Sequence, residues 1–180
     1  DFDTITINVT PNGDGGSEIT GYKIQEKIGS APYVDSGIIT TDLTVVKPLN
    51  TTLSWYRVIA VNENGDSDPS NVLGGFIRKT VPDQPTLTGT LNQDGDAVSI
   101  QIDPPAFDGN APITSYKLYR HTSLMSEGTW GFVTQYVSGG SVSTEVAISS
   151  DYASTYKAVA VNAVGQSVAS NEIGPFQIQT

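Results

Sequence analysis

Residues 56–62 read Tyr-Arg-Val-Ile-Ala-Val-Asn, and residues 156–162 read Tyr-Lys-Ala-Val-Ala-Val-Asn, an offset of 100 positions. Residues 19–24 (Ile-Thr-Gly-Tyr-Lys-Ile) and 113–118 (Ile-Thr-Ser-Tyr-Lys-Leu) repeat at an offset of 94. Such self-similarity is typical of a repeated structural unit. The chain therefore contains two copies of one unit, and the second has gained six residues in its middle. Further residues that recur at the offset of 100 are Gly65, Ser67, Ser70 and Asn71, which return as Gly165, Ser167, Ser170 and Asn171.

The segment 78–85 separates the two copies and contains Pro82 and Pro85. Proline has no N–H to donate to a central sheet ladder, so this segment suits a connection or an edge strand. We place a domain boundary near residue 80, which predicts one domain over 1–79 and another over 80–180.

Apolar and polar residues alternate in the repeated segments, which is the period of a strand with one buried face. Asn-Gly, Asp-Gly and Gly-Gly turn signals separate these short segments. The pattern predicts an all-β fold of two tandem β-sandwiches with about seven strands each. The residues expected to point inward are Ile5, Ile7 and Val9 in the first copy and Val98, Ile100 and Ile102 in the second.

Composition excludes several classes of protein. The chain has 37% hydrophobic and 16% charged residues, which favours a folded core over disorder. With 9 basic and 19 acidic residues its net charge is −10, and such a surface repels nucleic acid. It has no Cys and no apolar run long enough for a membrane helix, so we expect neither disulfides nor membrane insertion.

The chain resembles the fibronectin type III module, an immunoglobulin-like sandwich, over nearly its whole length. The likeness lies in strands that end in Thr10-Pro11 or Asp103-Pro104, in the Ile-Thr-x-Tyr-Lys segments, and in 56–67 and 156–167, which follow a Tyr-Arg-Val-x-Ala-Val-Asn-x-x-Gly-x-Ser pattern. Two family positions differ in both copies. The core Trp is replaced by Val9 and Ile102, and the corner Tyr by Ser54 and Ser154. The first copy also begins on the family's second strand, so its first strand is missing or truncated.

Candidate catalytic groups are few. The chain has one imidazole, His121, and no thiol, so we expect no enzyme and no cofactor. Asp94 and Asp96 flank a glycine, but a calcium loop needs more oxygen ligands, and Asp-Gly there favours a hairpin turn. The loop 64–67 lacks the Arg of an Arg-Gly-Asp triplet, so integrin binding is not predicted.

Two kinds of site remain as candidates. Asn8 and Asn50 open Asn-x-Thr sequons, on an outward strand face and in a turn, and both suit N-glycosylation if the source glycosylates. Met125, Trp130 and Phe132 lie in or near the extra residues of the second copy. They form a contact loop, or alternatively Trp130 and Phe132 start the next strand and pack inward or across it.

The resemblance implies a non-catalytic pair of structural or interaction modules from a larger extracellular or cell-surface protein, such as a filament, a surface layer or an adhesion array. The expected partners are proteins, namely neighbouring modules or other copies of the parent chain. Alternatives are a spacer or accessory region of a secreted carbohydrate-active enzyme, and a fragment of a receptor ectodomain. The sequons would make the parent a glycoprotein.

Overall fold

The computed structural model describes residues 3–178 of the 180-residue chain. The chain divides into two compact units, Asp1–Lys79 and Thr80–Thr180. Each unit contains seven strands, and the described residues include no helix. Accordingly, no described segment is a helix long and apolar enough to cross a membrane.

The first unit is built from two antiparallel sheets. Strand β1 pairs with β4, and the second sheet has the order β3-β2-β5-β6, with β7 also paired to β5. The strands are β1 (Thr4–Asn8), β2 (Gly21–Ile28), β3 (Val34–Thr40), β4 (Thr44–Pro48), β5 (Ser54–Asn62), β6 (Gly65–Asp66) and β7 (Leu73–Phe76).

The second unit repeats this plan with one more strand, β8, in the smaller sheet and an isolated bridge between Val161 and Gln166 in place of β6. One sheet has the order β12-β9-β8 and the other the order β11-β10-β13-β14. The strands are β8 (Thr86–Leu91), β9 (Ala97–Asp103), β10 (Ser115–Thr122), β11 (Gly131–Tyr136), β12 (Val142–Ala147), β13 (Ser154–Val161) and β14 (Ile173–Phe176). Antiparallel sheets with alternating burial confirm the predicted all-β class.

The core of each unit lies between its two sheets, where the alternating apolar residues meet. The first core contains Ile5, Ile7, Ile24, Val45 and Tyr56. The second contains Leu87, Val98, Ile100, Ile102, Ile113, Tyr116, Leu118, Ile148, Tyr156, Ala158 and Ala160. The predicted inward positions on β1 and β9 are therefore buried, apart from Val9, which is half-buried.

The recurring serines form hydrogen bonds between the central strand of each unit and the segment that follows it. Ser67 Oγ accepts a hydrogen bond from Ala60 N, and Ser70 Oγ accepts one from Val58 N, both at 2.9 Å. In the second unit Ser167 and Ser170 accept from Ala160 N and Ala158 N at the same distance. Between β6 and β7, residues 67–72 thus run beside β5 without forming a regular strand, because serine oxygens supply part of the hydrogen bonding.

The units differ at one edge. Strand β9 pairs on one side with β12 and on the other with β8, whereas β1 pairs only with β4 among the described residues. Nothing in residues 3–79 occupies the position of β8. The expectation that the first strand of this unit is missing or truncated stays a prediction.

Candidate functional site

The predicted contact loop connects β10 to β11 in the second unit. It runs over residues 123–130, eight residues, against five residues (29–33) between β2 and β3 of the first unit. This connection therefore holds half of the six additional residues, and the others are distributed among later connections and strands. Backbone bonds from Met125 N to Thr122 O and from Thr129 N to Ser126 O fold it into two turns.

Trp130 ends this loop and lies across the outer face of the sheet. Lys157 Nζ lies 3.9 Å from the centre of its ring, and the His121 ring centre is 5.7 Å away. The His121 Nδ1–H donates to Thr129 O at 2.8 Å, since a carbonyl can only accept, and this bond holds the loop against β10. A cation over an indole face is a favourable contact that fixes both side chains.

Phe132 lies on the same outer face, one residue into β11. Its ring packs edge-on against Tyr119, with ring centres 5.9 Å apart, and 59% of its surface remains exposed. Met125 is half-buried beside Gly131 at the start of the strand. Phe132 thus belongs to the strand and packs across its outer face, and a role for this segment as a contact surface stays a prediction.

The basic residues of the second unit lie on two neighbouring strands. Lys117, Arg120 and Lys157 are on β10 and β13, whereas the nine carboxylates of residues 80–180 lie on other strands and in loops, Glu127 among them in the loop that Trp130 ends. Lys117 and Lys157 share the outer face with Tyr119, and Arg120 stands opposite Tyr156 on the other side of β10. Arg120 lies 5.8 Å from the ring centre of Tyr152. We call the outer patch formed by Tyr119, His121, Trp130, Phe132 and Lys157 the aromatic surface.

Comparison with known proteins identifies solved structures that share this architecture. No protein-family model matches the chain. The solved structure of domains A168–A170 from titin aligns with 99% of this chain and 60% of its own length, at a TM-score of 0.57 and 19% identity. The chain has a tandem fibronectin type III-like fold. Similarity to titin's solved domains at this level concerns the fold alone.

Two further relatives of the fibronectin type III-like chain cover less of it. Over 110 residues, 58% of this chain, it is 28% identical to protein sidekick of Drosophila melanogaster, and the match spans 5% of that protein's length. The twitchin kinase region from C. elegans (Fn31-NL-kin-CRD-Ig26) aligns with 55% of this chain and 17% of its own, at a TM-score of 0.46 and 22% identity.

The first fibronectin type III-like unit has a related but smaller arrangement on the corresponding face. The Arg57 guanidinium stacks 4.1 Å from the Tyr33 ring centre, and Lys27 Nζ lies 5.3 Å from that of Trp55. Arg57 occupies the repeat position of Lys157. A cation on β5 or β13 that covers an aromatic ring is thus common to both units, but the exposed Phe132–Tyr119 pair belongs to the second.

The two sequons lie in different surroundings. Asn8 is exposed at the end of β1, where its Oδ1 accepts from Thr44 Oγ1 at 3.2 Å. Asn50 is half-buried, and its Nδ2, the atom to which a glycan is joined, donates to Glu26 Oε1 at 2.6 Å and to Ser54 Oγ at 3.2 Å. A sugar on Asn50 would disrupt these bonds, so Asn8 is the better acceptor.

The acidic turn residues are engaged in local structure. Asn92 caps the β8–β9 hairpin through its side chain, which bonds both Asp96 N and Asp96 Oδ1, and Gly95 adopts a φ of +72° there. Asp66 pairs with Lys23 at 2.6 Å. Within residues 3–178 no group of three or more His, Cys, Asp and Glu side chains has the arrangement of a metal site.

Sequence reasoning missed Tyr119 and Lys157 as parts of the surface. Strand register brings them to it, because Tyr119 stands opposite Phe132 on one side and Lys157 on the other. The alternation of Tyr116-Lys117-Leu118-Tyr119 predicted that Tyr119 lies on the outer face. Its cross-strand neighbours depend on how β10 pairs with β11 and β13, and the sequence of one strand does not reveal that register.

Proposed function

We propose that this chain is a non-catalytic pair of interaction domains, divided near residue 80, from a larger extracellular protein, and that the aromatic surface contacts neighbouring copies of the parent chain in a filament or surface array. The observation that carries the proposal is the aromatic surface itself. Exposed aromatic rings held rigid by their neighbours are the side chains that contribute most to protein interfaces, because they bury large areas at little entropic cost.

The charge distribution favours another copy as the partner. The aromatic surface holds Lys157, and Lys117 lies on the same face of β10, while nine carboxylates lie on the other strands and in the loops of the second unit. A cationic aromatic patch on one copy complements an acidic region elsewhere on the next. Such a contact joins two different patches, so it is heterologous and propagates into a ring or an open array rather than closing as a dimer.

The decisive experiment measures self-association of the full chain by sedimentation velocity over a range of concentrations and salt. We expect larger species at high concentration that dissociate in salt and that are lost in Phe132→Ser and Lys157→Gln. Val137→Ser serves as the matched control, since Val137 is 88% exposed and lies outside the aromatic surface. Association that survives Phe132→Ser, or that is equally lost with Val137→Ser, contradicts the proposal.

A photo-crosslinking amino acid at position 132 extends the test to the intact parent assembly. Crosslinks to other copies of the parent chain support the array. Crosslinks to a different domain of the same polypeptide instead favour a spacer beside a catalytic or binding head, and crosslinks to an unrelated partner favour a receptor ectodomain.

The extracellular assignment is tested by expression through a glycosylating secretory pathway. We expect a glycan on Asn8 and lower occupancy on Asn50, measured by intact-mass analysis and removed by Asn8→Gln. Secretion without modification of either sequon removes the support that the sequons give to this assignment.

A further inference from the structure

An ion pair lies between the two sheets of the first unit. Glu26 is on β2 and Lys47 is on β4, and Lys47 Nζ lies 3.2 Å from Glu26 Oε2. Each of the two side chains is only 12% exposed. Taking two charges out of water is costly, and well-packed apolar residues often stabilise a core at least as well as a buried ion pair. Stability alone therefore gives little reason for these two residues at this place.

Asn50 adds a side-chain amide to the ion pair. It lies in the connection from β4 to β5, and its Nδ2 donates to Glu26 Oε1 at 2.6 Å and to Ser54 Oγ at 3.2 Å. Ser54 is fully buried and donates its own hydroxyl proton to Thr52 O at 2.9 Å, so its oxygen is left to accept from Asn50. The Glu26 carboxylate thus binds the lysine nitrogen through one oxygen and the amide nitrogen through the other.

Lys47 and Asn50 are also close along the chain. Three positions separate them, so their Cα atoms are at most about 11 Å apart. The backbone here is fixed on both sides, since Leu49 N donates to Asp3 O at 2.7 Å and Asn50 O accepts from Arg78 N at 2.6 Å. Holding an amine and an amide at one carboxylate in this way lowers the entropic cost of a reaction between them.

The surroundings of the cluster favour proton transfer within it. Tyr56 is fully buried, and its ring centre lies 5.8 Å from Lys47 Nζ. Where little water reaches, a proton passes from an ammonium to a carboxylate at lower cost than in solution, because both products are neutral. None of the three side chains of the cluster recurs in the second unit, where the corresponding residues are Arg120, Val146 and Ser150.

We propose that Lys47, Asn50 and Glu26 form a self-modifying site, in which Lys47 Nζ becomes joined to Asn50 Cγ by an amide bond. Glu26 takes a proton from the Lys47 ammonium, and the neutral amine attacks Asn50 Cγ, so that the Nζ–Cγ bond forms. The Glu26 acid then protonates Nδ2, and the Cγ–Nδ2 bond breaks. The leaving ammonia takes the second proton that Nζ releases and departs as ammonium.

This reaction is balanced without an oxidant, a reductant or a co-reactant. Glu26 begins and ends as a carboxylate, and one ammonium ion leaves for each amide bond formed. The structure describes the three side chains before the bond forms. The site lies on the first unit, so the inference does not depend on the aromatic surface of the second.

The test is the mass of the full chain under denaturing conditions, where an ion pair no longer contributes. The chain is produced in a host that does not glycosylate, because a glycan would occupy the same Asn50 nitrogen. After incubation at neutral pH we expect the protein to be lighter than its sequence by about 17 Da, the mass of the ammonia lost. An unchanged mass overturns the proposal.

Peptide fragmentation locates the bond without any substitution. Trypsin does not cleave between Lys47 and Pro48, so digestion gives the peptide 28–57, which contains both partners of the bond. We expect this peptide to carry the whole mass deficit and to give no fragment ions from backbone cleavage between residues 47 and 50. A deficit located in any other peptide overturns the proposal. A deficit of about 18 Da, the mass of water, would join Lys47 to Glu26 and overturns it as well.

Substitutions test the role of each side chain. Lys47→Arg keeps the positive charge but supplies no nucleophilic amine, Glu26→Gln removes the proton acceptor, and Asn50→Ala removes the amide. Each is expected to restore the full mass. Lys23→Arg is the matched control, because Lys23 forms an exposed ion pair with Asp66 in the same unit, and it is expected to keep the deficit. A deficit that persists in Lys47→Arg or in Glu26→Gln overturns the proposal.

Discussion

Asn171 holds Leu87 by both backbone atoms, with Nδ2 at 2.7 Å from the carbonyl oxygen and Oδ1 at 2.9 Å from the nitrogen. The two residues are 84 positions apart, so this pair closes the sandwich between its first strand and its last connection. A side-chain amide offers a donor and an acceptor in one plane, and it therefore imitates the edge of a neighbouring strand.

Removal of this clamp has a predictable cost. Asn171→Ala leaves the amide and carbonyl of Leu87 without partners at a core edge, and we expect it to lower the free energy of unfolding of the second unit by about 1–3 kcal/mol. Asn71→Ala is the matched control, because within residues 3–79 no strand stands where β8 stands in the second unit. Urea denaturation measures both. An equal loss in the two variants would show that the asparagine stabilises its own turn instead.

Each unit contains one tryptophan, Trp55 or Trp130, which allows the units to be followed separately. Leu118→Ala opens a cavity in the second core, and we expect a loss of about 2–5 kcal/mol in the transition reported by Trp130. The transition reported by Trp55 is expected to stay unchanged if each unit folds alone. Trp55→Phe and Trp130→Phe backgrounds isolate the two signals. A shared shift of both transitions would contradict independent domains.

The contact between Lys157 and Trp130 is open to a double-mutant cycle. We expect Lys157→Met and Trp130→Leu to couple by about 0.5–1 kcal/mol in the stability of the second unit, the usual value for an exposed cation over an indole. Thermal or chemical denaturation of the four species gives the coupling. A coupling near zero would mean that the ammonium is solvated and that the stacked geometry does not persist in solution.

The stability of the first unit is expected to fall in alkali. Burial raises the pKa of Tyr56 to about 12, and the nearby Glu26 carboxylate adds to the rise. The unfolded chain loses this proton near pH 10, so stability that is complete below pH 10 is lost as the pH rises toward 12.

Tyr56→Phe should flatten that decline, because it removes the hydroxyl whose ionisation burial and Glu26 disfavour. The measurement is urea denaturation of both proteins at pH 8, 10 and 11.5, followed through Trp55. If the free energy of unfolding falls equally with pH in both proteins, groups other than Tyr56 cause the loss of stability in alkali.

Strand positions and their inward faces could be predicted from the sequence because they depend on local alternation. Ile5, Ile7, Val98 and Ile100 are buried for that reason. Ile59 faces away from the core, opposite Lys23 on the neighbouring strand, and is nevertheless only 8% exposed. Alternation reports which face a side chain takes and carries no information on what lies beyond that face.

The sequence by itself determined the number of units, the all-β class and the recurrence of Ser67, Ser70 and Asn71. Each of these depends on local alternation within short segments or on the repetition of those segments along the chain. Only the tertiary structure decided what those residues do. It placed Lys157 over Trp130, put Asn50 against Glu26, and joined Asn171 to the backbone of Leu87. These relationships join residues that are far apart in the chain, and strand pairing and packing bring them together only in the folded protein.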